Sequence, residues 1–177
     1  KDAPRSSHPT AAATWVRVKN GRIESATLGD SIAIVRTPAG EVTVLGESSK
    51  PADEQKRAQT VMAKTLEERL KWLQDVRAIH NTTNGYWVFG VQPEAGAHIV
   101  YQSTDAPAGT LVLVMTDGYY RLVSPYGRYT DAQLIDAVAS RGLGELMREL
   151  RSLEASPEDD ARIGRFKTSD DATALLL

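Results

Sequence analysis

Thr110-Leu-Val-Leu-Val-Met-Thr-Asp117-Gly118 is the stretch whose reading decides the fold. Leu111 to Met115 is an unbroken apolar run, which predicts a strand buried on both faces rather than one with a solvent side. Such a strand needs a packed layer above and below it. The run stops at an aspartate. A rigid strand fixes a carboxylate better than a loop does, so Asp117 is placed to hold a hard cation at a defined point. Two other stretches have the same character. Ser169-Asp170-Asp171-Ala-Thr173-Ala-Leu-Leu-Leu177 runs from aspartates into a strand over 172–177, and Ala26-Thr-Leu-Gly29-Asp30-Ser31-Ile-Ala-Ile-Val-Arg36 breaks an apolar strand at an aspartate.

Outward from these stretches the periods alternate between strand and helix. Thr14 to Lys19 alternates apolar with polar, Asn20-Gly21 is a hairpin turn signal, and strands follow over 22–28, 32–35 and 41–45. This reads as an antiparallel meander of consecutive hairpins. Residues 1–10 read as a loop or flexible end, and 46–57 as a polar loop. From Asp53 to Ile79 the period becomes helical, with Met62, Leu66, Leu70, Leu73 and Val76 on one face. Tyr86 to Phe89 and Ile99 to Gln102 read as short strands. Thr130-Asp-Ala-Gln133 is a capping box that opens a helix through Ser140, Gly142 stops it, and Leu143 to Glu154 forms another. Residues 156–160 read as a loop.

The 177 residues suffice for one domain with a substantial core, and 41% hydrophobic with 25% charged residues is ordinary for a globular chain. A formal net charge of -2 gives no reason to expect nucleic acid or an anionic membrane as partner. With no cysteine, disulfides and thiolate metal sites are excluded, which fits a reducing cytoplasm. No apolar run approaches the ~20 residues that span a bilayer, and the polar, proline-bearing start is not a signal peptide.

Gly29-Asp30-Ser31 after an apolar strand, Thr116-Asp117-Gly118 at the end of one, and Asp170-Asp171-Ala172-Thr173 leading into one resemble, in this order, the motifs of the metal-dependent protein serine/threonine phosphatases of the type 2C family. The resemblance runs from Ala12 to the C-terminus. It implies an α+β fold, a four-layer α-β-β-α sandwich of two antiparallel sheets flanked by helices. It implies hydrolysis of phosphoserine and phosphothreonine in proteins by a metal-bridging hydroxide, with two Mg²⁺ or Mn²⁺ ions and a possible third. Carried over residue by residue, Asp117 and Asp170 are ligands of the dinuclear centre. Asp30 and Asp117 flank the third site, and Asp171 and Gly118 lie just behind the ligands. The partner implied is a phosphorylated protein. Two hard cations about 3.5–4 Å apart can neutralise charge on a phosphate, and they take carboxylate and water oxygens, which this chain offers.

The chain also departs from the family. No Asp-Gly-x-Gly-Gly motif, whose aspartate bridges both metals in the family, precedes Gly29. The expectation is therefore a single domain over 1–177 that forms the C-terminal portion of a type 2C domain, with complete activity needing N-terminal residues outside this chain. The rival is a catalytically incomplete pseudophosphatase or regulatory binding module with the same fold. Against that rival, several carboxylates facing one another repel unless a cation lies between them. A third option is an unrelated all-β ligand-binding protein, in which the three motifs arise by chance.

Taken alone, Asp117-Gly118 is a turn signal, Asp170 a surface turn, and Gly29-Asp30-Ser31 a bulge or bend. Their order and strand context favour metal. His8, His80 and His98 lack ligand spacing and read as surface or locally bonded groups. Arg121, Arg128, Arg148 and Arg151 read as solvated surface charges, and Trp15, Trp72 and Trp87 as packing residues.

Overall fold

The apolar run forms a strand over Leu111–Met115 in a computed structural model of the chain, which describes residues 4–47, 65–156 and 169–177. In chain order the described strands are β1 (Ala13–Lys19), β2 (Arg22–Leu28), β3 (Ile32–Arg36), β4 (Val42–Leu45), β5 (Val100–Asp105), β6 (Leu111–Met115) and β7 (Ala174–Leu176). The helices are α1 (Leu66–Ala78), the short α2 (Asp117–Tyr120), α3 (Asp131–Arg141) and α4 (Leu143–Glu154). One sheet has the order β1-β2-β5 and the other β4-β3-β6-β7, with every pairing antiparallel. This is the α+β architecture of two antiparallel sheets with helices.

Alternation along β3 and β6 divides the core in two. Ile32 and Ile34 of β3, with Leu113 and Met115 of β6, join Leu134, Ile135 and Val138 of α3 and Leu146 and Leu150 of α4. The residues between them, Ala33, Val35 and Val112, join Ile23 of β2 and Leu45 of β4 in a second cluster, between the sheets. Side chains alternate across a strand, so a strand with both parities apolar must be covered twice. Helices α3 and α4 give the outer cover. Their ends are set as the sequence predicts: Thr130 and Gln133 form a capping box, and Gly142, at φ 84°, separates the two helices. Tyr119 is fully buried beneath α4, where its hydroxyl donates to the Leu143 carbonyl at 3.1 Å. Burial pushes its pKa up to about 12.

The first four strands are not one meander. β1 pairs with β2 and β3 pairs with β4, but β2 and β3 lie in different sheets. The break falls at Gly29, whose φ of 92° suits a residue without Cβ; a Cβ there would sit 2.7 Å from that of Ala12. Alternation in sequence cannot separate a hairpin from a strand that leaves one sheet for another.

Further expectations are corrected or refined. Tyr86–Phe89 forms only an isolated bridge between Ala11 and Phe89, because a turn-rich segment follows immediately. Within residues 1–10 there is a 3-10 turn over Arg5–Ser7, and the His8 ring bonds the Gln92 side chain at 3.0 Å. The apolar face of α1 is not buried: Leu66 and Leu70 are exposed, and the helix packs on the Arg5–Ser7 turn rather than on a sheet. The expected residues 53–64 of that helix lie outside the described ones, as do 157–160 of the expected loop. Trp15 is half exposed on the outer face of β1, covered by the Arg17 guanidinium at 5.2 Å.

Leu113 is fully buried at the centre of the helix-facing cluster. Leu113→Ala is expected to lower unfolding free energy by about 2–5 kcal/mol, read from urea denaturation. A loss under about 1 kcal/mol would show that the site is not tightly packed.

Candidate metal centre

The ladders place the aspartates. Met115, the last residue of β6, pairs with Ile32 at the start of β3 and with Ala174 at the start of β7. The chain leaves this sheet end through Thr116 and Asp117, arrives at β3 from Asp30, and arrives at β7 from Asp170 and Asp171. Three segments distant in sequence therefore meet at one end of the four-stranded sheet. Thr116 and Thr173 extend the β6–β7 pairing: the Thr116 amide donates to the Thr173 carbonyl at 3.0 Å, and the Thr173 amide donates to the Thr116 hydroxyl at 3.1 Å.

Beyond this pair the two chains touch. A Cβ on Gly118 would sit 1.9 Å from the Asp171 carbonyl oxygen and 2.8 Å from its carbon. Only glycine admits this approach. It locks the Asp117-Gly118 turn, which opens α2, against the Asp170-Asp171 segment. Asp117 and Asp170 are half-buried and Asp171 is exposed. The Asp171 amide donates to Oδ1 of Asp170 at 3.1 Å, and Arg151 Nη2 donates to the Asp170 carbonyl at 3.0 Å.

Behind the segment lies a charge cluster that the sequence reading missed. Glu154, the last residue of α4, is 2% exposed. Its Oε1 accepts from Arg121 Nη1 at 3.0 Å, and its Oε2 accepts from Arg151 Nη1. Arg121, read from sequence as a solvated surface charge, is well buried here. The only sequence signal was that Glu154 falls on the same helical face as Leu146 and Leu150, where a carboxylate must find cations.

Asp30 occupies the crossing from β2 to β3. The next residue is anchored, since the Thr14 hydroxyl donates to the Ser31 carbonyl at 2.6 Å. His80 is buried nearby, edge-on to Tyr86 with ring centroids 4.7 Å apart. Burial and the Arg77 charge lower its pKa, while the Asp30 carboxylate raises it, and the net direction is down. Neither ring nitrogen of His80 has a hydrogen-bond partner. His80 is thus a buried residue rather than the surface or locally bonded group read from sequence. His98 stacks on Trp87 at 3.5 Å between centroids.

The donor chemistry at this sheet end fits a hard cation, because half-buried carboxylates on fixed backbone are oxygen ligands. The cradle at Gly118 fits too, since it brings the Asp117 turn and the Asp170 segment into contact. Among the described residues, however, no three His, Cys, Asp or Glu side chains are grouped as a metal-holding set. Asp30 shares the sheet end but is not drawn into such a group.

The protein phosphatase 2C family model matches residues 1–153, so the chain belongs to the protein phosphatase 2C family. That match ends before Asp170. No curated protein sequence matches the chain. Among solved structures it is similar to the serine-threonine phosphatase 2C of Toxoplasma gondii, at TM-score 0.50 and 16% identity over 96% of this chain and 58% of that one. It is also similar to the S. agalactiae serine/threonine phosphatase, at 0.49 and 17% over 94% and 58%. A third is the catalytic domain of the serine threonine protein phosphatase PstP, solved with 2 manganese ions, at 0.46 and 15% over 94% and 57%. The chain therefore spans less than two thirds of the length of these structures, and at such identities the T. gondii likeness shows the fold alone.

Gly118→Ala separates the close approach from ordinary helix propensity. By propensity alone, alanine in α2 stabilises by up to about 1 kcal/mol. The wedge against Asp171 predicts the opposite sign, a loss of about 1–3 kcal/mol in denaturant unfolding. Unchanged or increased stability would remove the contact from the account of this site.

Proposed function

We propose that the chain works as part of a divalent-metal-dependent protein serine/threonine phosphatase, acting on phosphorylated proteins. In this reading Asp117 and Asp170 are metal ligands, Asp30 borders a further cation position, and Gly118 and Asp171 set the ligands' placement. The observation that carries the reading is the Gly118–Asp171 contact. In a chain of the protein phosphatase 2C family, it places two aspartate-bearing segments against each other at the end of a buried sheet.

Mg²⁺ or Mn²⁺ bound there would supply Lewis acidity toward phosphate oxygens and a hydrolytic nucleophile at neutral pH. The chain's own residues do the positioning. Strand β6 fixes where Asp117 emerges, the Thr116–Thr173 pair fixes the spacing between the two segments, and Gly118 permits their contact. Phosphate monoesters hydrolyse extremely slowly unaided, so small displacements of such ligands have large effects on rate. On this reading the remaining donors lie outside the described residues, among which no closed set is found.

That last observation favours one other reading, a pseudophosphatase or regulatory module that keeps the sandwich and binds a partner. Calorimetry with Mn²⁺ separates the two, because a pure scaffold takes up little metal.

In the full-length protein, Asp117→Asn is expected to abolish Mn²⁺-dependent hydrolysis of p-nitrophenyl phosphate while the protein remains folded by circular dichroism. Activity equal to wild type in that variant would sink the role of Asp117. Chelator-insensitive turnover by wild type would sink the metal.

A further inference from the structure

We propose that Glu154 is a positioning residue that sets the relative placement of Asp117 and Asp170 through two arginines; this rests on the metal-ligand reading above. The geometry is divided between the two oxygens of one buried carboxylate. Oε1 takes Arg121, the residue that caps the C-terminus of α2, and α2 begins at Asp117. Oε2 takes Arg151, whose other terminal nitrogen holds the Asp170 main-chain carbonyl at 3.0 Å. Each arginine therefore leads to one candidate ligand, and the two paths meet at Glu154.

The chemistry suits the task. A guanidinium is a planar fork with donors in fixed directions, so Arg151 can bond a carboxylate and a carbonyl together without rotational slack. A carboxylate that is 2% exposed is costly to bury unless cations and hydrogen bonds compensate it, so the bonded arrangement has few competitors. The Arg151 contact goes to the peptide carbonyl of Asp170 and so orients the backbone that carries the side chain. Helix α4 is a rigid base for this, docked on the sheet through Leu146 and Leu150. Removing groups that orient metal ligands typically weakens metal affinity about 10–100-fold.

The test compares wild type, Glu154→Gln and Arg151→Lys in the full-length protein, by Mn²⁺ calorimetry and by amide hydrogen exchange over residues 169–177. Glutamine keeps the shape but replaces one acceptor oxygen with an NH₂ donor, which faces one of the two arginines. Lysine keeps the charge, at a position more open to solvent than Glu154, but loses the fork. The expected result is that both variants bind Mn²⁺ at least about tenfold more weakly and exchange faster over 169–177. Hydrolysis is expected to approach the wild-type kcat once Mn²⁺ is raised to saturation. A purely structural role would leave Mn²⁺ affinity within about twofold of wild type in the folded fraction, and that outcome overturns the proposal. If Glu154→Gln does not fold, Arg151→Lys alone decides by the same criterion. Wild type that binds no Mn²⁺ overturns the metal-ligand reading and this inference together; wild type that binds, with variants matching it, overturns this inference only.

Discussion

Strand β6 has no free face and no free edge, and the rest of the structure depends on that confinement. Its two parities are apolar, so one side is buried under α3 and α4 and the other against the β1-β2-β5 sheet. Its edges are paired with β3 and β7. A side chain of Leu or Ile size contributes about 1.5–3 kcal/mol when fully buried, and a one-residue slip would send every such side chain to the opposite face. Because both faces are apolar, the register rests on the fit of particular side chains in each cluster and on the two paired edges rather than on polarity. With it come the points where the neighbouring chains arrive, which are also where Asp30, Asp117, Asp170 and Asp171 stand.

Most of this was legible as period. The continuous apolar run of β6, the helical stripe of α4 and the Thr130–Gln133 capping box are local signals with a direct physical cause. The failures were those of information that is not local. Whether β2 continues into β3 as a hairpin or changes sheets depends on which partners each strand finds, and Gly29 suits either outcome. The stripe on α1 contains the right apolar residues, yet the helix rests on a 3-10 turn with little apolar surface, and Leu66 stays exposed. Trp15 lies on the outer face of its sheet, where alternation alone does not say whether a further layer covers it.

The candidate site divides in the same way. That Asp117, Asp170 and Asp30 stand at strand ends was readable from where each strand pattern breaks, and the need for Gly118 beside Asp117 was readable only as part of a motif. Its physical reason, the Asp171 carbonyl in the space a Cβ would occupy, needs three dimensions. Glu154 shows in the sequence only as an acid on the apolar face of its helix, with no sign of its partners. Nothing in a sequence says that Arg121, 33 residues earlier, returns to meet it.

The three aspartates are not held alike, and the difference ranks them. Asp117 and Asp170 are carried on segments pinned to each other by the Thr116–Thr173 bonds and the Gly118 contact, and each segment is tied back to α4 through an arginine on Glu154. Asp30 has a different support. It stands in the crossing between sheets, after a glycine at positive φ, and the residue that follows it is bonded by the Thr14 hydroxyl. A ligand position is only as well defined as the backbone beneath it. By that measure the backbone beneath Asp117 and Asp170 is the better defined, because it is tied at both the strand pair and the α4 arginines.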